Sequence, residues 1–372
     1  MTLYPNLILD ALKSVRYPGN GKSLAENNMI EDDIRIDGAK VSFSLIFDKP
    51  TDPFIRSVVR ASEAAIATSI SPDVEVNVSV KTRAAAAPAK PAVLPGVKNI
   101  IGVSSGKGGV GKSTVAANLA VALAAKGYKV GLLDADIFGP SMPKMFGVED
   151  EQLYMVNKEG RDWIEPIERY GVKMLSIGFL VDKEKPVLWR GGMASNALKQ
   201  LITDAWWGEL DYFLIDMPPG TSDIHLTLVQ TLPITGIVVV STPQEVALAD
   251  ARKGIAMFTG EAVNVPILGL VENMAWFTPA QHPDERYYIF GEGGAVRLAE
   301  EQGVRLLAQI PLVMDIRSHA DNGAPVALQL TGDPSMASPE AQAFGTLADN
   351  VVSAVEERNS TLPPTTKVNV SH

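Results

Sequence analysis

Short apolar segments recur through most of the chain, and stretches of helix length separate them. Each segment is rich in β-branched residues and nearly free of polar ones, which is typical of strands buried on both faces. The segments are NIIGVSS from Asn99, KVGLLDAD from Lys129, DYFLID from Asp211, GIVVVST from Gly236, VPILGLVEN from Val265 and RLLAQIP from Arg305. This alternation predicts an α/β fold with a mainly parallel sheet and helices on both of its faces.

The amino-terminal part of the chain shows a different pattern. Helices are predicted over Asn6–Val15 and Pro53–Ser69, and strand-like alternation occupies Ile34–Phe47 and the segment VEVNVSV from Val74. These elements predict a small α+β domain that precedes the larger one.

Composition marks the domain boundaries. The stretch TRAAAAPAKPAVLPGV from Thr82 places three prolines among alanines, which is typical of a semi-extended connector. The end of the chain, LPPTTKVNVSH from Leu362, is polar and contains prolines. We therefore predict a small domain over residues 1–81, a linker over 82–97, a larger domain over 98–360 and a disordered tail over 361–372.

Charge and composition exclude several classes of function. The 372 residues include 33 Lys and Arg against 43 Asp and Glu, a formal net charge of −10, which argues against general binding to nucleic acid or to an anionic membrane. The chain has no cysteine, so it has no disulfide and no thiolate for catalysis or metal binding. The first residues lack the features of a signal peptide, and no apolar run approaches the length of a membrane span. The expected location is the cytoplasm.

A glycine-rich loop lies between the first strand of the larger domain and a helix-like stretch. Its sequence, GKGGVGKST, matches the phosphate-loop pattern G-x-x-x-x-G-K-S/T in the strand–loop–helix context that this pattern requires. Lys112 is expected to reach the β and γ phosphates, Ser113 to ligate Mg²⁺ and Thr114 to contact the α phosphate. The alternative is an ordinary glycine-rich turn. The residues predicted to hold phosphate are Gly106, Gly108, Gly109, Val110, Gly111, Lys112, Ser113 and Thr114.

Lys107 is a second lysine within this loop, and an ordinary phosphate loop does not need it. The motif GKGGVGKST resembles the deviant Walker A motif of the nitrogenase iron protein, the septum-positioning ATPases and the plasmid-partition ATPases. This resemblance implies a homodimer in which Lys107 crosses the interface to act on the partner's nucleotide. The alternative is a solvated surface lysine.

Acidic residues follow two of the predicted strands. Asp134 and Asp136 end LLDAD at the carboxyl edge of the sheet, where open parallel sheets bind ligands. The family resemblance implies that Asp136 activates the attacking water and that Asp134 supports the Mg²⁺ shell, although either residue could cap the next turn. Asp216, which follows DYFLI, has the position of a Walker B carboxylate that holds Mg²⁺.

Two further positions complete the predicted nucleotide site. Gly220 in DMPPG is expected to offer its backbone N–H to the γ phosphate, and Asp223 beyond it is either a functional carboxylate or a helix cap. Asn273 ends VPILGLVEN, and the resemblance assigns its amide to the adenine edge. ATP is therefore favoured over GTP, whose base-reading N-K-x-D motif is missing.

The chain most resembles the Mrp/ApbC iron–sulfur cluster carrier proteins over nearly its whole length. The matching strings are GKGGVGKST, LLDADIFGPSMPKMFG, LWRGGMASNALKQ, DYFLIDMPPGTSDIHLTLVQ, VENMAWF and IFGEGGA. The small domain is similar to the iron–sulfur assembly domain that many of these carriers possess. The resemblance implies ATP, Mg²⁺ and a [4Fe-4S] cluster held by a C-x-x-C pair from each subunit. In this chain the corresponding stretch reads TPAQHPDERYY from Thr278, without a thiolate.

Other ligands for a cluster are scarce. Thr51 and Asp52 stand where the small domain of relatives often carries a cysteine, and a lone histidine such as His282 is most often a surface residue. One hypothesis is an ATP-hydrolysing cluster carrier that serves apo iron–sulfur proteins or assembly factors. A second is a cluster-free, ATP-dependent dimeric scaffold that switches partners. A third, a partition-type positioning ATPase, requires a basic surface or tail that the sequence does not offer.

Overall fold

The computed structural model describes residues 3–31, 33–47, 52–82, 93–180, 191–279 and 281–368. The chain divides into two compact units, Met1–Ala92 and Val93–His372. Residues 83–92, which make up most of the predicted linker, lie outside the described residues.

The first unit is a small α+β structure, as predicted. Its elements are α1 (Pro5–Leu12), β1 (Arg35–Asp37), β2 (Lys40–Phe47), α2 (Ile55–Ser69) and β3 (Glu75–Thr82). Strand β2 lies between the other two, antiparallel to β1 and parallel to β3. Alternate residues of β2 are buried, and they pack with Ile8 and Leu12 of α1 and Val58 and Ile66 of α2.

The second unit is built on one large sheet. Its strands are β4 (Val97–Ser104), β5 (Val130–Asp134), β6 (Met155–Lys158), β7 (Arg161–Ile164), β8 (Ile167–Arg169), β9 (Val172–Ser176), β10 (Leu210–Asp216), β11 (Gly236–Ser241), β12 (Ile267–Asn273) and β13 (Leu306–Ile310). Within the described residues, eight of them form a sheet in the order β13-β12-β11-β4-β10-β5-β9-β8. All neighbours are parallel except β8 and β9, and β6 and β7 form a separate antiparallel hairpin. The mainly parallel sheet is confirmed.

Helices cover both faces of this sheet. They are α3 (Lys112–Ala125), α4 (Met142–Met145), α5 (Gly191–Thr203), α6 (Asp223–Thr231), α7 (Glu245–Thr259), α8 (Gly294–Gln302), α9 (Met314–Asp321) and α10 (Pro339–Thr361), with 3₁₀ helices at Ile177–Leu180, Val326–Thr331 and Pro334–Met336. Consecutive strand residues serve opposite layers: Leu132 packs with α3 and α10, whereas Leu133 packs with α5, α6 and α7. This two-sided burial explains why the strands are almost wholly apolar.

The connections place a crevice above the centre of the sheet. From β4 the chain crosses over β10 to reach β5, and it later returns to the other side of β4 as β11. A ligand site in such a sheet lies at the carboxyl ends of the strands, where the connections diverge. The strands that end there are β4, β5 and β10, and they carry the predicted phosphate loop, Asp134 and Asp216.

The chain after α10 follows the surface, which differs from the predicted disordered tail. The Thr365 hydroxyl donates to the Pro233 carbonyl at 3.1 Å, and the Val368 N–H donates to the Val229 carbonyl at 3.1 Å. Val368 also packs against the apolar layer that contains α6. These contacts hold residues 362–368, whereas 369–372 lie outside the described residues.

Candidate nucleotide site

The phosphate loop runs from the end of β4 to the first turn of α3. Gly109 and Gly111 have φ values of 82° and 81°, which residues with a β carbon rarely adopt. A β carbon on Gly106 would lie 2.2 Å from the carbonyl carbon of Asp250 in α7, so only glycine fits against this helix. Gly108, in contrast, has open space around it and would meet only Pro219 at 4.0 Å. The loop therefore needs glycine for conformation at two positions and for close approach at a third.

Lys112, Ser113 and Asp216 form a hydrogen-bonded group at the mouth of this loop. The Lys112 ammonium, 5% exposed, donates to Asp216 Oδ1 at 2.6 Å and lies 3.2 Å from Ser113 Oγ. The Ser113 hydroxyl donates to Asp216 Oδ2 at 2.7 Å. Lys112 and Ser113 are adjacent at the start of α3, and Asp216 follows them by more than 100 positions. The structure brings together the three residues that the motifs place at one phosphate site.

The two aspartates that follow β5 occupy different positions. Asp136 Oδ2 lies 3.5 Å from the Lys112 ammonium, within ion-pair distance. Asp134 is fully buried, and its Oδ2 accepts hydrogen bonds from the N–H groups of Ser141 and Met142 and from the Ser176 hydroxyl. Asp134 therefore anchors the loop after β5, and Asp136 faces the lysine.

The carboxyl groups at this edge are crowded. Asp134 and Asp216 lie directly opposite each other on the adjacent strands β5 and β10. Burial, followed by repulsion from Asp216, raises the pKa of Asp134 to about 7. Burial also raises the pKa of Asp216, against the opposing effect of the Lys112 ammonium. Among the described residues, three buried carboxyl groups, those of Asp134, Asp136 and Asp216, share the one buried lysine of the site, and their ionisation favours an added cation.

The loop after Asp216 is tied to the phosphate loop. Gly220 has a φ of 79°, and its N–H donates to the Ser105 carbonyl at 2.9 Å. The amide that was predicted to meet a γ phosphate is thus used within the protein in this state. Ser222, not Asp223, is the N-cap of α6, and Asp223 is the exposed first residue of that helix. The acidic residue is accommodated there because negative charge is favourable in the first helical turn.

Lys107 and Thr114 lie at the edges of the site. The Lys107 side chain is partly exposed and has no hydrogen bond or ion pair with any residue that the structure describes; its carbonyl accepts from the Ser105 hydroxyl at 3.0 Å. Thr114 is partly exposed in the first turn of α3, where its carbonyl accepts from the Asn118 amide.

Asn273 supports the phosphate loop. Its side-chain amide donates to the Val110 carbonyl at 2.8 Å, and a β carbon on Gly111 would lie 2.2 Å from that amide nitrogen. One donor of Asn273 is therefore occupied by the protein, and the adenine contact that the resemblance assigns to this amide stays a prediction.

Two buried groups near the site were not found from the sequence. Ser176, which donates to Asp134, lies on β9, a strand that the apolar pattern did not predict. Glu272, fully buried beside Asn273, accepts from the Ala295 N–H at 2.6 Å and from the Gln309 amide at 2.7 Å. The signal for Glu272 was a single acidic residue in an otherwise apolar strand.

The donor set suits Mg²⁺ that arrives with a nucleotide. Within the described residues there is no group of three or more His, Asp or Glu that could hold a metal alone. Mg²⁺ in phosphate-loop proteins needs less, because one hydroxyl, one or two carboxylates, waters and phosphate oxygens complete its shell. Ser113 and Asp216 would supply that hydroxyl and carboxylate, and Asp134 lies opposite Asp216 on the adjacent strand.

The segment in which the family resemblance implies a C-x-x-C pair does not suit an iron–sulfur cluster. Phe277 and Tyr287 form a β-bridge there, and Arg286 stacks on Trp276 with 4.1 Å between the guanidinium carbon and the ring centre. His282 is exposed and lies 3.3 Å from a Glu285 oxygen. Imidazole, carboxylates and phenols replace the thiolates that clusters require. Of the small-domain positions, Thr51 lies outside the described residues, and Asp52 accepts hydrogen bonds from the Tyr17 hydroxyl and the Phe54 N–H.

Two family models match the chain. Residues 96–352 match the model described as a NUBPL iron-transfer P-loop NTPase. Residues 6–108 match the model described as an iron-sulfur cluster assembly protein. None of the helices in the described part of the chain combines the length and apolar character of a membrane span.

Individual proteins agree with these models. The iron-sulfur cluster carrier protein of Synechocystis sp. is 44% identical over 340 residues, which are 91% of this chain and 95% of that protein. The protein of the same name from Pseudomonas fragi is 51% identical over 68% of this chain and 85% of its own length. A solved nucleotide-binding protein from Archaeoglobus fulgidus, in complex with ADP, is 38% identical with a TM-score of 0.56, and the match covers 68% of this chain and 93% of that one.

Proposed function

The chain belongs to the family of iron–sulfur cluster carrier proteins and NUBPL-type P-loop NTPases, and on that premise we propose that it binds and slowly hydrolyses Mg·ATP as a homodimer. The observation that carries this proposal is the meeting of Lys112, Ser113 and Asp216 at the mouth of a glycine loop, at the sheet's switch point. The ADP bound to the Archaeoglobus protein supports a purine nucleotide there.

An exchange of charge partners would accompany nucleotide binding. In this structure the Lys112 ammonium lies 2.6 Å from an Asp216 oxygen and 3.5 Å from an Asp136 oxygen. A triphosphate attracts the lysine away from both carboxylates, which leaves Asp216 and Ser113 to hold Mg²⁺ and Asp136 to orient the attacking water. The metal, when bound, neutralises charge on the phosphates. The backbone N–H groups of the loop stabilise the charge that develops on the transferred phosphoryl group.

The remaining predicted residues have roles at the edge of the nucleotide. Gly220 exchanges the Ser105 carbonyl for a γ-phosphate oxygen, Thr114 contacts the α phosphate, and Asn273 contacts adenine with the part of its amide that Val110 does not use. Lys107 acts across the dimer, because its ammonium has no partner among the described residues of its own chain.

Calorimetry and phosphate release test this assignment. Wild-type protein should bind Mg·ATP, and Lys112→Ala should abolish binding or turnover. Lys107→Ala should bind normally but turn over about tenfold or more slowly, because it removes a charge that acts only on the transition state. Lys129→Ala, at the opposite edge of the sheet, is the matched control. Asp136→Ala should accumulate an ATP-bound dimer in size-exclusion chromatography. Wild-type turnover by the Lys107 variant would remove the trans-acting lysine from the mechanism.

The names of the relatives extend the proposal to iron–sulfur clusters. We propose that nucleotide-driven dimer changes serve cluster delivery to apo-proteins in the cytoplasm, with the cluster as cargo. Because the chain has no cysteine, the thiolate ligands have to come from the partner protein. This also favours the second candidate function, a cluster-free switch that changes partners with its nucleotide state.

Anaerobic reconstitution separates the two candidates. Iron and sulfide are counted on the purified chain alone and after addition of a thiol-bearing apo-protein with ATP or ADP. Delivery predicts no iron on the chain alone and ATP-dependent iron in the mixed complex. A complex that forms with ATP but never contains iron would support the cluster-free switch instead.

A further inference from the structure

His225 lies beneath the loop that joins Asp216 to α6. It is the third residue of α6, its side chain is fully buried, and its Nδ1 accepts the Ser222 N–H at 3.1 Å. The ring packs edge-on against Phe258 of α7, with 5.9 Å between ring centres. No role in nucleotide chemistry described above uses this residue.

The contacts of the ring determine where its proton lies. Nδ1 lies 3.1 Å from the Ser222 N–H and 3.2 Å from both the hydroxyl and the carbonyl oxygen of the same residue. A main-chain N–H can only donate, so we assign Nδ1 as the acceptor of the shortest contact and place the proton of the neutral ring on Nε2. Burial, the largest influence, lowers the pKa of His225 and favours this neutral form. The Nε2 atom is inaccessible to solvent and makes no hydrogen bond of ordinary geometry with any described residue. The backbones of Ser222 and then Pro218 oppose the effect of burial by raising the pKa of His225.

Among the residues that the structure describes, three main-chain N–H groups of this loop donate hydrogen bonds. The Met217 N–H donates to the Val103 carbonyl at 3.0 Å, the Gly220 N–H donates to the Ser105 carbonyl at 2.9 Å, and the Ser222 N–H donates to His225. The Gly220 bond has to break if this amide is to meet a phosphate. The histidine is then the attachment that connects the far half of the loop to the protein core.

The same helix supports both nucleotide loops. Helix α7 contacts Gly106 of the phosphate loop through its backbone at Asp250, and it contacts His225 through Phe258. Helix α7 therefore supports both the phosphate loop and the histidine beneath the loop after Asp216.

We propose that His225 is a positioning residue that acts as the pivot of the loop from Met217 to Ser222. Its Nδ1 holds the Ser222 N–H throughout, and its buried Nε2–H, which has no acceptor among the described residues, gains one when Gly220 leaves Ser105 for the phosphate. A buried donor without a good acceptor disfavours the nucleotide-free arrangement, so this bond favours the loop's movement toward the nucleotide. The inference rests on the proposed ATP hydrolysis for its catalytic consequence.

Two substitutions of His225 test the pivot. His225→Phe keeps the ring and its contact with Phe258 but removes both nitrogens. His225→Gln restores a donor and an acceptor, and glutamine is a usual partner of serine in this capping arrangement. Val229→Ala removes apolar contacts from the same helix without touching the loop, and it serves as the control for lost stability.

Turnover and amide exchange are measured on the full chain. His225→Phe should lower kcat about tenfold or more with little change in KM, and His225→Gln should recover most of that loss. In nucleotide-free protein, peptides that cover 217–222 should exchange about tenfold faster in His225→Phe, while those that cover 106–114 stay unchanged. Val229→Ala should change neither measurement.

Three outcomes would overturn the pivot: wild-type exchange over 217–222 in His225→Phe, an equal loss of kcat in Val229→Ala, or a folded His225→Gln as impaired as the phenylalanine variant. Absence of ATP turnover in the wild type would refute the proposed function instead. In that case the exchange measurement still decides whether His225 holds the loop.

Discussion

Replacing Lys112 by methionine removes the cation that neutralises Asp216 in the nucleotide-free protein. The ammonium and the carboxylate are both buried and 2.6 Å apart, so the variant leaves a carboxylate with no charge partner at that distance. Removing one member of a buried ion pair costs about 3–5 kcal/mol of unfolding free energy. Methionine keeps most of the side-chain volume, so the loss reports charge more than packing.

The loss should depend on pH. The pKa of Asp216 is already raised in the folded protein, and removal of Lys112 raises it further. Such a group contributes stability that is fully present below its unfolded pKa and is lost as pH rises through the folded pKa. The difference between wild type and Lys112→Met should therefore be larger at about pH 8 than at about pH 5.5, where the buried carboxyl can take up a proton.

Urea unfolding followed by tryptophan fluorescence gives the measurement. All five tryptophans lie in the second unit, so the signal reports the unit that contains the site. Lys144→Met removes an exposed ion pair with Glu149 and should cost about 1 kcal/mol or less. Lys112→Met combined with Asp216→Asn should recover most of the loss. A variant as stable as wild type at about pH 8, or a cost that grows on acidification, would refute the charge argument.

Two further substitutions test other parts of the site. Gly106→Ala places a β carbon 2.2 Å from the backbone of α7 and should weaken Mg·ATP binding at least about tenfold in calorimetry. The control Gly332→Ala, at a position with open space around it, should bind normally. Equal affinities of the two variants would show that the phosphate loop shifts at no cost. Glu272→Gln puts an amide donor against one of two donors, the Ala295 N–H and the Gln309 amide, and should lower the unfolding free energy by about 1–3 kcal/mol; unchanged stability in urea would mean that the network rearranges to satisfy both.

The apolar pattern predicted the parallel strands because burial on both faces leaves a continuous sequence signal. Strands β5, β11, β12 and β13 lie within segments identified from the sequence, and β4 and β10 begin two residues and one residue before theirs. The edge strand β8, its neighbour β9 and the hairpin β6–β7 were not predicted, because each of these strands is only three to five residues long and contains a charged residue, which leaves a weak sequence pattern.

The motifs predicted which residues meet at the site but not how they are bonded without nucleotide. The spacing of Lys112, Ser113 and Asp216 implies a shared phosphate site, and the structure brings them together. Two hydrogen bonds of the site, from Asn273 to Val110 and from Gly220 to Ser105, depend on side-chain and loop conformations that no sequence pattern encodes. The tail was predicted to be disordered from its polar, proline-containing composition. The contacts that hold it are one valine and two hydrogen bonds, and these leave no signal in the composition.

That anchor gives the molecule a built-in attachment point for spectroscopy. The tail is fastened to the far end of α6, the helix whose first turn begins at the loop after Asp216. Because the protein contains no native thiol, one engineered cysteine at the exposed Lys367 would accept a single fluorophore or spin label without competing reaction. A probe at position 367 would report any tilt of α6 when nucleotide is added.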